Sequence, residues 1–141
     1  MTVKVGLRLP PSRIAPGLAR RAVHELSPWI ESHLPRVELL VSELVSNCVQ
    51  HAHLLPSDTI DLSVEDLGRS VLVEVTDPGR GYDDARAAWS HLGDAHSGDR
   101  HPVEHGFGLR IVNVIADRCG LRWDDGTLAW FEMTLDQTAN A

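Results

Sequence analysis

The stretch Glu38-Leu39-Leu40-Val41-Ser42-Glu43-Leu44-Val45-Ser46-Asn47-Cys48-Val49-Gln50-His51-Ala52 is apolar at helical spacing, yet it carries an acid and an amide one turn apart. Leu40, Val41, Leu44, Val45, Cys48 and Ala52 recur with the helical period and predict a stripe packed into a core. Glu43, Asn47 and His51 fall at i, i+4 and i+8, so they share one line along the helix. A carboxylate on that line can take a proton, and an amide oxygen can hold a hard cation such as magnesium. The plainer alternative is a solvated polar stripe on an amphipathic helix. The rest of the chain decides between the two.

Upstream of this helix, Val3, Val5, Leu7 and Leu9 alternate and predict an opening strand, ended by Pro10-Pro11. Ser12 or Ala15-Pro16 can start a helix with Leu18, Ala22, Val23 and Leu26 facing inward. Ser27-Pro28 breaks it and can begin a short second turn through His33, and Pro35 separates that turn from the Glu43/Asn47 helix, which is expected to reach about His53. Downstream, Ile60, Leu62 and Val64 alternate, then Val71, Val73 and Val75; the turn-rich link from Glu65 to Ser70 predicts a hairpin. The second of these strands runs into Asp77-Pro78-Gly79-Arg80-Gly81, followed by a polar stretch from Tyr82 to His105 long enough to suggest function. Gly106-Phe107-Gly108 opens a predicted helix with Leu109, Val112, Ile115, Ala116 and Cys119 inward and Gly120 as its C′ residue. Two strands follow, Leu121 to Trp123 and Leu128 to Leu135, joined across Asp125-Gly126, the strongest short hairpin signal. Hairpins on both sides of the last helix predict an α+β fold. It is a two-layer sandwich with a mixed, mostly antiparallel sheet and helices on one face.

The length of 141 residues fits one domain, taken as 1–141, with a workable core. Hydrophobic residues make up 43% and charged residues 23%, ordinary values for a globular chain. The net charge of −7 argues against general nucleic-acid binding and against an anionic membrane surface, although Arg13, Arg20 and Arg21 form a local basic patch. No apolar run approaches the length of a membrane span, and Met1 to Val5 lacks a signal-peptide core. Cys48 and Cys119 both fall on apolar faces of predicted helices, as reduced core residues of a cytoplasmic protein do.

Three segments converge on one chemistry: Glu43 with Asn47 on a helix, Asp77-x-Gly79-x-Gly81 at a strand end, and Gly106-x-Gly108-Leu109 opening a helix. A carboxylate at a strand end can accept a hydrogen bond from an exocyclic amine such as that of adenine. Gly79 and Gly81 let backbone approach a flat ring with no Cβ in the way. Glycines ahead of a helix leave free N–H groups for phosphate, whose charge a cation held by Asn47 can neutralise.

In this order and spacing the three segments closely resemble the Bergerat-type ATP site shared by DNA gyrase and the histidine kinases. The fit is best to the small anti-sigma-factor kinases of the RsbW and SpoIIAB kind, especially the single-domain actinomycete versions. Glu43 to Ala52 resembles their N box, Asp77 to Gly81 the first glycine box and Gly106 to Val112 the second. The terminal strand Ala129-Trp130-Phe131-Glu132-Met133 and the opening helix with Arg20-Arg21 are also similar, so the resemblance spans nearly the whole chain. It implies the Bergerat fold, with ATP and Mg²⁺ bound under a lid at about residues 82–105. It also implies a sigma factor and an anti-anti-sigma (STAS-type) protein as partners, and it leaves room for a homodimer. Glu43 would be the catalytic base, Asn47 the Mg²⁺ ligand and Asp77 the adenine reader. Gly79, Gly81, Gly106, Gly108 and Leu109 would complete the nucleotide site. Phosphoryl transfer needs mostly positioning and charge neutralisation, so this short set suffices.

One departure bears on activity. Some kinase-active relatives carry a basic residue just before the second glycine box, where this chain has Glu104-His105; either Arg100 substitutes for it or the lid serves another purpose. An acid beside the γ-phosphate would repel it. Two readings therefore stand: an ATP-dependent serine kinase that sequesters a sigma factor, and a binding protein that acts by partner exchange alone. A detached histidine-kinase catalytic domain is disfavoured, since no phosphoacceptor helix pair is present. His91, His96, His101 and His105 match no familiar zinc spacing and read as an exposed polar lid. Trp29, Trp89, Trp123 and Trp130 read as packing residues rather than a base-stacking platform, given the acidic charge.

Overall fold

The computed structural model describes residues 3–25, 33–78, 112, 115–124 and 126–135. Its elements follow in the order β1 (Val3–Leu9), α1 (Ala15–His24), α2 (Leu34–His51), β2 (Ile60–Asp66), β3 (Ser70–Asp77), β4 (Arg118–Asp124) and β5 (Gly126–Thr134). The strands form one five-stranded sheet in the order β1-β2-β3-β5-β4. Each of its four pairings is antiparallel. This is the expected α+β sandwich with a mostly antiparallel sheet.

The alternation read in the strands is the alternation that is buried. Ile60, Leu62 and Val64 on β2, Val71, Val73 and Val75 on β3, and Ala129, Phe131 and Met133 on β5 all point into one core with α1 and α2. Helix α2 supplies Val37, Leu40, Val41, Leu44, Val45 and Cys48 to that core, and α1 supplies Ala15, Ala19 and Val23. Burial of each large apolar side chain stabilises the fold by about 1.5–3 kcal/mol relative to exposure. The opposite face of the sheet carries no described helix.

Turn chemistry sets the hairpins. Between β2 and β3 the Leu67 N–H donates to the Ser70 carbonyl at 2.9 Å, and the Gly68 N–H donates to Asp66 Oδ1 at 2.8 Å. Gly68 takes φ +92, which a residue without Cβ adopts cheaply. Both helices carry proline in the first turn, Pro16 in α1 and Pro35 in α2. Pro35 thus starts its helix instead of standing outside it, because the first-turn N–H groups have no intrahelical partner to lose. Helix α2 ends at His51, short of the expected His53, and His53 takes φ 50 just past the C-cap.

The sequence reading needs one correction at Cys119 and Gly120. Both belong to β4 and not to the preceding helix, with Cys119 opposite Phe131 and Gly120 opposite Trp130. The last helical bond there runs from the Ala116 N–H to the Val112 carbonyl, and the next N–H, that of Asp117, already donates to Glu132 in β5. Sheet pairing captures the backbone at once. Gly120 is therefore no helix terminator: an added Cβ would stand 2.7 Å from Trp130 Nε1. The glycine makes room for the indole. This bears out the packing role read for Trp130, whereas Trp29 and Trp89 lie outside the described residues.

Candidate functional site

Two interhelical contacts orient α2. Arg20 of α1 donates from Nη1 to Ser42 Oγ at 2.7 Å, and His24 Nδ1 lies 3.3 Å from Glu38 Oε1. As α1 runs backward from 24 to 20, α2 runs forward from 38 to 42, so the helices are antiparallel. Helix α1 thereby covers the shoulder of α2 that bears Glu38 and Ser42. At ~100° per residue Ser42 and Asn47 stand roughly 140° apart around the axis. Glu43 and Asn47 therefore occupy the shoulder that α1 leaves open. Glu43 is half-buried, while Asn47 is only 8% exposed. The Asn47 Nδ2 atom has no hydrogen-bond partner among the described residues. A buried amide left in that state costs free energy, so the position is built to meet something polar.

Helix α2 packs on β3, whose last residue is Asp77. Asp77 is 4% exposed and stands opposite Thr127 of β5. Thr127 is 1% exposed, and its hydroxyl has no partner among the described residues. The turn before Thr127 closes tightly on Asp77. Gly126 takes φ +112, and an added Cβ would meet the Asp77 carbonyl oxygen. The Asp125-Gly126 hairpin signal is thus borne out, and it has a second consequence: the β4–β5 turn abuts the strand end at which the first glycine box begins.

Thr127 was missed in reading the sequence. Its signal was present: in the run Thr127, Ala129, Phe131, Met133 it is the polar member of an inward-facing series. Gly79, Gly81, Gly106, Gly108 and Leu109, the lid at 82–105, the four lid histidines and Glu104 lie outside the described residues.

The profile of the histidine kinase-like ATPase domain matches residues 11–133. The chain belongs to the histidine kinase-like ATPase domain family. Its matched span includes α2, the Asp77 strand end and the β4–β5 hairpin. A solved structure of similar fold is that of the RsbU and RsbW domains of Rv1364c from Mycobacterium tuberculosis. The likeness has a TM-score of 0.64 at 16% identity, over 94% of this chain and 32% of that one. The chain thus spans about a third of that protein's length, and at this identity the likeness establishes the fold. No curated protein sequence matches the chain.

ATP is the ligand this family implies. The described part of the site fits it on two observations: the Asn47 Nδ2 atom and the Thr127 hydroxyl, each buried without a hydrogen-bond partner among the described residues, on elements that meet β3. An amide offers a donor or an acceptor by a half-turn of its terminal torsion, so Asn47 can present its oxygen to a cation equally well. A hydroxyl both donates and accepts, which suits the edge of a purine ring.

Proposed function

We propose that the chain is an ATP-binding anti-sigma factor that phosphorylates a serine on an anti-anti-sigma partner. In the other half of its cycle it holds a sigma factor, in the cytoplasm. The observation that carries the proposal is the pairing on one free shoulder of α2: half-buried Glu43 one turn before buried Asn47, on a helix that meets the strand ending in Asp77. The resemblance of the three boxes to the RsbW kind supports the choice of partners.

In this reading Asp77 accepts from the adenine amine, with Thr127 beside it. Asn47 holds Mg²⁺ through its amide oxygen. Gly79, Gly81, Gly106, Gly108 and Leu109 bring backbone N–H groups to the nucleotide, and residues 82–105 close over it as the lid of a single domain. ATP supplies the phosphoryl group. Glu43 takes the serine proton as the serine oxygen bonds to phosphorus and ADP departs.

A second reading keeps ATP and removes the chemistry. It is favoured by Glu104, which stands before the second glycine box where some kinase-active relatives have a basic residue. The deciding experiment incubates the protein with labelled ATP, Mg²⁺ and the anti-anti-sigma protein encoded nearest to it. Label on a serine of that partner supports the kinase. ATP-dependent partner exchange without label supports the second reading.

A further inference from the structure

The open face of the sheet carries a charge pattern that the nucleotide site does not use. Reading across the register, Arg8 stands opposite Asp61 and Lys4 opposite Glu65, while Arg118 stands opposite Glu132. The first of these is a formed ion pair, with Arg8 Nε 3.4 Å from Asp61 Oδ1. Glu74, in the middle of the same face, is the exception: its direct neighbours are Ser63 on β2 and Trp130 on β5. Its diagonal neighbours Asp61, Glu65 and Glu132 each have a cation of their own across the register, so Glu74 is the acid of this face with no cation opposite it. The other cation position on β4, Arg122, is registered with Leu128 and not with an acid.

Beside Glu74 lies an aromatic surface. The indole of Trp130 rests over Gly120, since an added Cβ there would stand 2.7 to 3.0 Å from its ring atoms. Trp130 is half-buried, so part of its side chain remains accessible on this face. One hollow of about 370 Å³ is lined by Glu74, Trp130, Leu72 and Leu128 and by the register pair Arg118 and Glu132, so Glu74 is its acid in excess. Glu74, Trp130, Leu72 and Leu128 are half-buried. An uncompensated carboxylate, an indole face and apolar walls within one hollow suit a guanidinium on an aliphatic stem. The stem packs on leucine, the plane stacks on the indole, and the fork pairs with the acid.

We infer that the open sheet face, centred on Glu74 and Trp130, is a docking surface for an arginine-bearing segment of a partner protein. It lies on the side of the sheet opposite the helices. Its occupancy is thus independent of the nucleotide reading.

The test uses the full chain, isotope-labelled for amide NMR, and two peptides. One is acetyl-Leu-Arg-Leu-Arg-Leu-amide. The other replaces each arginine by citrulline, which keeps shape and removes charge. The arginine peptide should shift the Trp130 indole N–H and the amides of β3 and β5 in a saturable way. The citrulline peptide and the Glu74→Gln variant should each weaken binding by roughly fivefold or more, as expected for loss of a charge-assisted pair. Trp130→Phe should weaken it less, since a smaller ring remains. Glu65→Gln, whose partner is Lys4, should leave it unchanged. ATP with Mg²⁺ should not compete. Four results would overturn the inference: no saturable binding at millimolar peptide, equal binding of the citrulline peptide, equal binding by Glu74→Gln, or shifts centred on α1. Shifts of this face with protein concentration alone would also overturn it, by making a second copy the occupant.

Discussion

Asp77 and Thr127 face each other across β3 and β5, both buried, at the end of the sheet where Gly126 turns the chain beneath them. The hydroxyl of Thr127 contributes no hydrogen bond among the described residues. Thr127→Val should therefore leave the stability of the protein alone unchanged or raise it by up to about 1 kcal/mol, since it removes an unsatisfied group. The same change should reduce the rise in melting temperature produced by ATP with Mg²⁺. Asp77→Asn should reduce it further, because an amide can present a donor to a donor. Thermal melts of the three proteins with and without nucleotide check both statements. A wild-type melt unmoved by millimolar ATP with Mg²⁺ would remove this pair from any nucleotide site.

Glu43 and Asn47 should separate into two roles. Glu43→Ala should keep ATP binding and lower phosphoryl transfer by ~10²–10⁴-fold, the usual worth of a positioned base. Asn47→Ala should abolish the dependence of ATP affinity on Mg²⁺. Removing the buried Nδ2 group, which has no partner among the described residues, should cost the free protein little. Equal transfer rates for wild type and Glu43→Ala would favour the reading without chemistry.

Glu104 offers the complementary test. If its charge lies near the γ-phosphate it opposes ATP more than ADP, because ATP carries the extra negative charge. Glu104→Arg should then raise the ratio of ATP to ADP affinity and speed any transfer. Paired titrations of both nucleotides on both proteins measure it; an unchanged ratio would show that Glu104 points elsewhere.

Gly120→Ala should destabilise the protein by about 1–3 kcal/mol, the range typical of overpacking, because its Cβ would meet the Trp130 ring. Trp130→Leu made in the same chain should recover part of that loss. A double-mutant cycle by urea denaturation reads the coupling. Additive losses would mean that the indole swings clear at no cost.

Burial pushes the Cys119 thiol from 9.0 up to about 11. The folded state therefore keeps its proton where the unfolded chain has lost it. The resulting stability is fully present below pH 9 and is lost as pH rises from about 9 to 11. Urea midpoints across that window should fall more steeply for wild type than for Cys119→Ala. Parallel slopes would assign the alkaline loss to other groups.

Much of this protein was legible in its sequence because its elements are locally encoded. The alternation in β2, β3 and β5 and the helical stripe of α2 each name a buried face without reference to any other element. Gly68 and Gly126 mark turns for a reason internal to their own backbone, namely positive φ. The line of Glu43 and Asn47 on one helix follows from the 3.6-residue period alone.

Tertiary structure decided the rest. Cys119 and Gly120 suited a helix end on local grounds, and the bond from Asp117 to Glu132 drew them into β4 instead. Which shoulder of α2 stays open depends on Arg20 reaching Ser42, a contact between residues far apart in sequence. Thr127 stands against Asp77 only because β5 lies beside β3 in that register. Glu74 is uncompensated only because that register gives it Ser63 and Trp130 as neighbours. Local propensity and periodicity are properties of one segment. Strand order, register and the covering of one face by another depend on pairs of segments, which no single stretch of sequence contains.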